Sequence, residues 1–243
     1  QTVADQLANA IQNARLFEQL NTSLTESKMQ TEVSMAINEA QSVEAIVRAA
    51  SQIGEFIGME GVSLRYFTHW DADGVPLLQD VFGVIRHNGD AELRHQRDTG
   101  VDHELLRWFF SDAQQARRAQ TSGALSVFKD LASEVDVPET LRQNLLAQGY
   151  QSLIMAPLQA RNRLLGFLTF YSQNPVDDLP ARYIQVFVRT LIDEVASGLD
   201  RFILLQESER RAERMETAFE ISRQAASMLD EETLLAQAAE LIR

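Results

Sequence analysis

The chain has no cysteine in its 243 residues. That absence removes disulfides, thiolate nucleophiles, cysteine zinc sites and thioether-linked chromophores together. Positive charge is scarce as well: 22 Lys and Arg stand against 35 Asp and Glu, a formal net charge of −13, with a pI near 4.8. A nucleic-acid duplex or an anionic membrane surface is repelled by such a field, so no nucleic-acid partner is expected. No apolar run approaches the roughly 20 residues that span a bilayer and no secretory leader is visible, so the expectation is a cytoplasmic protein without membrane insertion. The first residue is not Met, which points to a fragment of a longer polypeptide. Catalytic signatures are missing too: GxSxG, HExxH, P-loop, GxGxxG and a kinase catalytic loop do not occur. The acidic pairs Asp177-Asp178 and Asp193-Glu194 have polar neighbours, where solvation and helix-end effects explain them. Neither an enzyme nor a cofactor is expected of this fragment.

What the chain does contain is an internal repeat. Moving the first 55 residues along by 188 lays Asp5 on Asp193, Ala8 on Ala196, Leu16 on Leu204, Glu32 on Glu220, Ser34 on Ser222 and Ala50 on Ala238, without a gap. Leu7 with Val195, Ile11 with Leu199, Val33 with Ile221 and Ile46 with Leu234 fill in conservatively. Such a period is too long for a solenoid and suits a duplicated domain. Residues 2–39 lack Pro and Gly and carry Val3, Leu7, Ala10, Ala14, Phe17 and Leu24 in alternating steps of four and three, with Asn21 filling one slot, the seam of a coiled coil. Leu191, Val195, Gly198, Phe202, Leu205, Ala212 and Phe219 repeat that seam, and the charged face of residues 207–216 cannot be core.

Between the seams, Ser42 is an N-cap for a helix to about Ile57, ended by Gly58 and Gly61. Residues 61–70 and 77–85 read as strands joined at Asp71-Ala72-Asp73-Gly74, whose spacing suits a hairpin turn and not an EF-hand loop. Residues 86–100 read as an exposed polar loop inserted between strands. His87, His95 and His103 recur there in steps of eight, which fits neither the i, i+4 pair of a helical zinc site nor any compact ligand pattern, so no metal is expected. Asp102 caps a helix predicted to about Gln115, with Trp108, Phe109 and Phe110 as the densest aromatic cluster. A short strand over 124–128 and a helix over 139–148, opened by Pro138 and closed by Gly149, follow.

Residues 149–172 read as two apolar strands around the polar turn Ala160, Arg161, Asn162 and Arg163. With the helix before it, the polar loop after it and a long amphipathic helix from about Ala181, this order of elements resembles the C-terminal half of a GAF domain. The resemblance spans about residues 29–205. It implies an α+β fold, an antiparallel sheet flanked by helices, with long connecting helices at both ends. It also implies three parts: 1–27 as the exit helix of a preceding GAF-like domain, 28–205 as a GAF-like domain, and 206–243 as a linker helix and the opening helices of a following one. The asparagine-lysine pair and the phenylalanine of cyclic-nucleotide-binding relatives are not matched over residues 171–179. What remains is a non-catalytic sensory or relay module for signal transduction, binding a small molecule non-covalently or nothing at all. A structural spacer and a non-covalent haem or metal sensor are the alternatives. A cavity is expected between the sheet and residues 102–150, with Arg65, Trp108, Phe128 and Tyr150 as wall residues. The expected partners are a second copy, through a parallel dimer of the long helices, and neighbouring GAF-like and output domains in the same chain.

Overall fold

The structure, a computed structural model, describes residues 3–87, 90–111, 125–176 and 188–241. It divides into two compact units, Gln1–Asp200 and Arg201–Arg243. In the first unit, helices α1 (Val3–Glu39) and α2 (Val43–Phe56) lead into strands β1 (Gly61–Trp70), β2 (Pro76–His87) and β3 (Asp90–Gly100). A short helix α3 (His103–Phe109), strand β4 (Ser126–Phe128), helix α4 (Glu139–Ala147) and the hairpin β5 (Ser152–Ala160) and β6 (Arg163–Ser172) follow. Helix α5 runs over Arg189–Leu241, and its residues from Arg201 make up the second unit. The six strands form one antiparallel sheet in the order β3-β2-β1-β6-β5-β4. The fold is therefore α+β, with helices on both faces of the sheet.

Local chemistry fixes the element ends. Ser42 accepts a hydrogen bond from the Ala45 amide at 3.2 Å, and Asp102 accepts from the Glu104 and Leu105 amides at 3.0 Å, so both are true N-caps. The Asp71 carboxylate accepts from the backbone of Asp73 and Val75, which folds the turn that leads into β2. Arg161 and Asn162 both take positive φ, 51° and 63°, as a two-residue hairpin turn requires.

Three sequence expectations are corrected. The described residues of 86–100 are not an inserted loop: the end of β2 occupies 86–87 and the edge strand β3 occupies 90–100, paired from Leu78 with Gly100 to His87 with Asp90. Only Leu93 in this stretch is strongly apolar, so hydrophobic alternation does not reveal the strand; its charges suit an edge that must not pair with another sheet. The aromatic helix ends at Phe109 and not near Gln115. Phe110 leaves helical geometry and the Ser111 hydroxyl donates to the Trp108 carbonyl at 2.7 Å, while residues 112–115 lie outside the described residues. The third correction concerns α5, where Leu191 and Val195 belong to the domain core at 2% and 0% exposure and not to an open seam. The predicted start of that helix near Ala181 also lies outside the described residues.

A layer of helices explains that burial. Val33 and Ile37 of α1, seven residues of α2 from Val43 to Ile53, and Leu191, Val195 and Leu199 of α5 are buried. Gly198 sits so close to Ile37 and Ile46 that an added Cβ would lie 3.2 and 3.4 Å from their side chains. Ser34 of α1 donates to Glu194 of α5 at 2.6 Å. Gly54 brings α2 onto the Phe170 ring of β6, which places this layer on the face carrying Val62, Leu64, Ile154, Leu168 and Phe170.

Candidate functional site

The opposite face of the sheet is where chemistry collects. Residues paired directly across antiparallel strands share a face. The register therefore lines up Arg94, Gly83, Ser63, Thr169, Met155 and Ser126 in one row from β3 to β4. Met155 joins Phe67, Phe128, Leu153, Phe167 and Tyr171 in a core with Trp108 and Phe109 of α3 and Leu141 and Leu145 of α4. The row thus lies on the face that α3 and α4 cover.

Three hydroxyl-bearing residues of the row, Ser63, Thr169 and Ser126, are 3–4% exposed. The Ser63 and Ser126 oxygens are buried and have no hydrogen-bond partner. Leaving a buried hydroxyl unpaired costs about 1–3 kcal/mol, so such groups mark places where a water or ligand atom completes the structure. Nothing in the sequence distinguishes these serines, because each stands alone in an apolar strand and they meet only through the register of the assembled sheet.

Aromatics bound the row on either side. Tyr171 lies across Gly61, where a Cβ would come within 2.2 Å of its ring, and its centroid is 4.4 Å from that of Tyr150. Burial pushes the Tyr171 phenol up from its ordinary range, Tyr150 adds to this and Arg94 opposes it. On the other side Phe167 meets Phe67 and Phe109 edge to face, with centroids 6.3 and 5.0 Å apart.

The four residues expected as walls all belong to this side of the molecule. Arg65 pairs with Phe167, two residues along β1 from Ser63, and is half-buried. Trp108 and Phe128 pack together at 5.6 Å as core residues. The indole nitrogen of Trp108 donates to the Asp136 carbonyl at 3.0 Å, so its polar edge is already used. Tyr150 packs half-buried against the same core.

A second polar cluster lies on the helix-layer face. Asp80 accepts from the Tyr66 hydroxyl at 3.2 Å and from the Asp98 amide at 2.9 Å. His95 stacks on Phe82 at 3.8 Å, with its Nε2 3.8 Å from the Asp80 carboxylate. Asp98 has φ 49° at an irregularity in the β2–β3 pairing, so Asp80 pins a left-handed backbone there. The loop histidines do not converge. His87 pairs with Asp90 and His95 with Phe82, five positions apart along β2, roughly 16 Å of strand. His103 begins α3. Among the described residues, no group of three or more His, Cys, Asp or Glu could hold a metal ion, and no helix is long and apolar enough to cross a membrane.

This architecture is similar to two bilin-bound GAF domains of cyanobacterial phytochromes. The phycoerythrobilin-bound one matches with a TM-score of 0.50 at 16% identity, over 74% of this chain and 97% of that one. The phycocyanobilin-bound one matches with the same score and identity, over 73% and 95%. The chromophore-binding domain of a bacteriophytochrome from R. palustris matches at 0.46 and 13% identity over 77% of this chain, which spans 63% of that chain. No protein-family model and no curated protein matches the sequence. At such identities the likeness concerns the fold, and the fold is GAF-like.

Proposed function

We propose that this chain is a non-catalytic sensory or relay module of a cytoplasmic signal-transduction protein, holding a small molecule non-covalently on the hydroxyl row beneath α3 and α4. The observation that carries this reading is the pair of buried, unpartnered hydroxyls of Ser63 and Ser126 in one row of the sheet. The bilin-bound neighbours give it support, in that a GAF-like sheet is compatible with a bound small molecule. Without cysteine, any such ligand is held without a thioether bond. Its binding changes the packing of α3 and α4 on the sheet, and the long helices carry that change onward as a shift between two states. In this reading residues 1–27 and 206–243 belong to the helices that join neighbouring GAF-like domains, and two copies pair through them in parallel.

The structural-spacer reading has its own support. Phe128 at 0% and Trp108 at 8% exposure fill part of the space beneath α3. Native mass spectrometry of freshly purified protein separates the two. A sensor carries a mass beyond that of the polypeptide, lost on Ser63→Ala or Ser126→Ala. A spacer gives the polypeptide mass alone and is no less stable after either change. Sedimentation velocity tests the pairing, and a monomer at tens of micromolar would remove the dimer from the proposal.

A further inference from the structure

The exposed apolar residues of α1 and α5 that have an apolar counterpart in the repeat fall into two sets once the repeat is combined with burial. Under the shift of 188, Leu7 falls on Val195 and Ile11 on Leu199. Leu7 is 62% and Ile11 48% exposed, yet both counterparts are at 0%. Val33 and Ile221 show the reverse, 1% against 62%. Leu16 and Phe17, by contrast, are 51% and 69% exposed and fall on Leu204 and Leu205, which are 37% and 57% exposed themselves. One set is open only where no domain body covers it, and the other is open in both copies of the repeat.

We infer that Leu7 and Ile11 form a docking strip for the sheet-and-helix body of another domain of this fold, lying before α1 in the same polypeptide. Leu16, Phe17, Leu204 and Leu205 are then left, with other open residues of these helices such as Leu24 and Phe219, to the seam between two copies of the chain. This rests on the tandem-domain and dimer reading above and adds which residues serve each contact.

The chemistry of the strip supports its occupant. In α5 the face that packs on the helix layer presents Glu194 to the Ser34 hydroxyl, Gly198 to Ile37 and Ile46, and the buried Val195 and Leu199 around them. In α1 the same positions are Gln6, Ala10, Leu7 and Ile11: an oxygen that can accept from a hydroxyl, a small residue for a close approach, and two aliphatics. The receiving surface recurs in part, since Ser34 reappears as Ser222 and Ile46 as Leu234, while Ile37 becomes Ala225. A strip made only for a coiled coil has no reason to keep a hydrogen-bond acceptor at the position of Gln6 and Glu194, which lies off the seam. Phe17 and Leu205 carry no such pattern around them, and both are more than half exposed.

The absence of cysteine makes a thiol-protection experiment direct. Residues 189–215 are replaced by residues 1–27, which keeps the length and places the α1 sequence behind the sheet body in the inferred register. A cysteine at the transplanted Leu7 or Ile11 position should react with a maleimide at least about 100-fold more slowly than Leu7→Cys or Ile11→Cys in the original chain, the protection of a site that opens only by local unfolding. Cysteine at Phe17 or Leu205 of the original chain should oxidise to a disulfide-linked dimer. Reactive thiols in a transplant that still melts cooperatively would overturn the docking strip. So would a transplant shifted by one residue that proves equally stable, or an in-register transplant that unfolds and is not rescued by Ala10→Gly, which restores the small residue of Gly198. Failure of both cross-links would overturn the seam while leaving the strip in place. None of these readouts depends on a bound small molecule, so loss of the sensor reading is a separate result.

Discussion

Neighbouring residues of the same strands build the two faces of the sheet, and the faces obey different rules. On the helix-layer side Val62, Leu64, Ile154, Leu168 and Phe170 are at most 2% exposed and meet the apolar faces of α2 and its companion helices. On the other side Ser63 and Thr169 alternate with them at similar burial, beneath aromatic residues of α3 and β6. The apolar patch of the helix-layer face, with the polar cluster of Tyr66, Asp80 and His95 kept to its margin, gains by being permanently closed. A face with orphaned hydroxyls carries a standing cost that only a water, a ligand or a rearrangement removes. The difference suits a domain in which one face holds the fold together and the other can change occupancy.

The largest test of that contrast is Leu64→Ala, on the closed face. It should cost about 2–5 kcal/mol in urea unfolding, because the cavity lies among residues that cannot all move in. Next comes Asp80→Ala at the margin of the same face, which removes the acceptor for the Tyr66 hydroxyl and the Asp98 amide. It should cost about 2 kcal/mol and speed amide exchange at Asp98.

The third test is alkaline. The folded state raises the Tyr171 phenol above its unfolded value, so the fold binds the proton more tightly than the unfolded chain does. The associated stability is complete below about pH 10 and declines as pH rises from there, by at most about 1.4 kcal/mol per pH unit for one phenol. Tyr171→Phe should flatten that decline, and an unchanged slope would mean that folding does not shift this phenol. The smallest effect is expected next door to the largest. Ser63→Ala should be neutral or stabilise by up to about 1 kcal/mol in ligand-free protein, since it deletes an unpaired hydroxyl. A loss above that size would mean that a bound water or ligand already satisfies Ser63.

Much of the fold is legible in the residues themselves. Ser42 and Asp102 announce their helices because a side-chain oxygen can satisfy amides two or three residues on, and Gly58 and Gly149 end theirs at φ 79° and 87°. The β5–β6 hairpin is legible because its two runs are apolar throughout and its turn is polar. Strand β3 is not, since its place depends on pairing with β2 and not on an apolar stripe. For the candidate site, aromatic density singles out Trp108, Phe128 and Tyr150, which lie on the same side of the sheet as the hydroxyl row. It does not point to Ser63, Thr169 and Ser126, which are far apart in the chain and become one row only when β1, β6, β5 and β4 lie in register.

The sequence by itself determined what short-range chemistry controls: the order of the elements other than β3, caps, turns, the 188-residue repeat, and the exclusion of thiol chemistry by the lack of cysteine. The tertiary structure alone decided which of two similar helical stripes is covered. Leu7 and Val195 are interchangeable as apolar residues at equivalent positions of the repeat. Only Val195 has Ile37 and Ile46 close by, across the neighbouring Gly198, and burial is a property of what is brought near a side chain and not of the side chain.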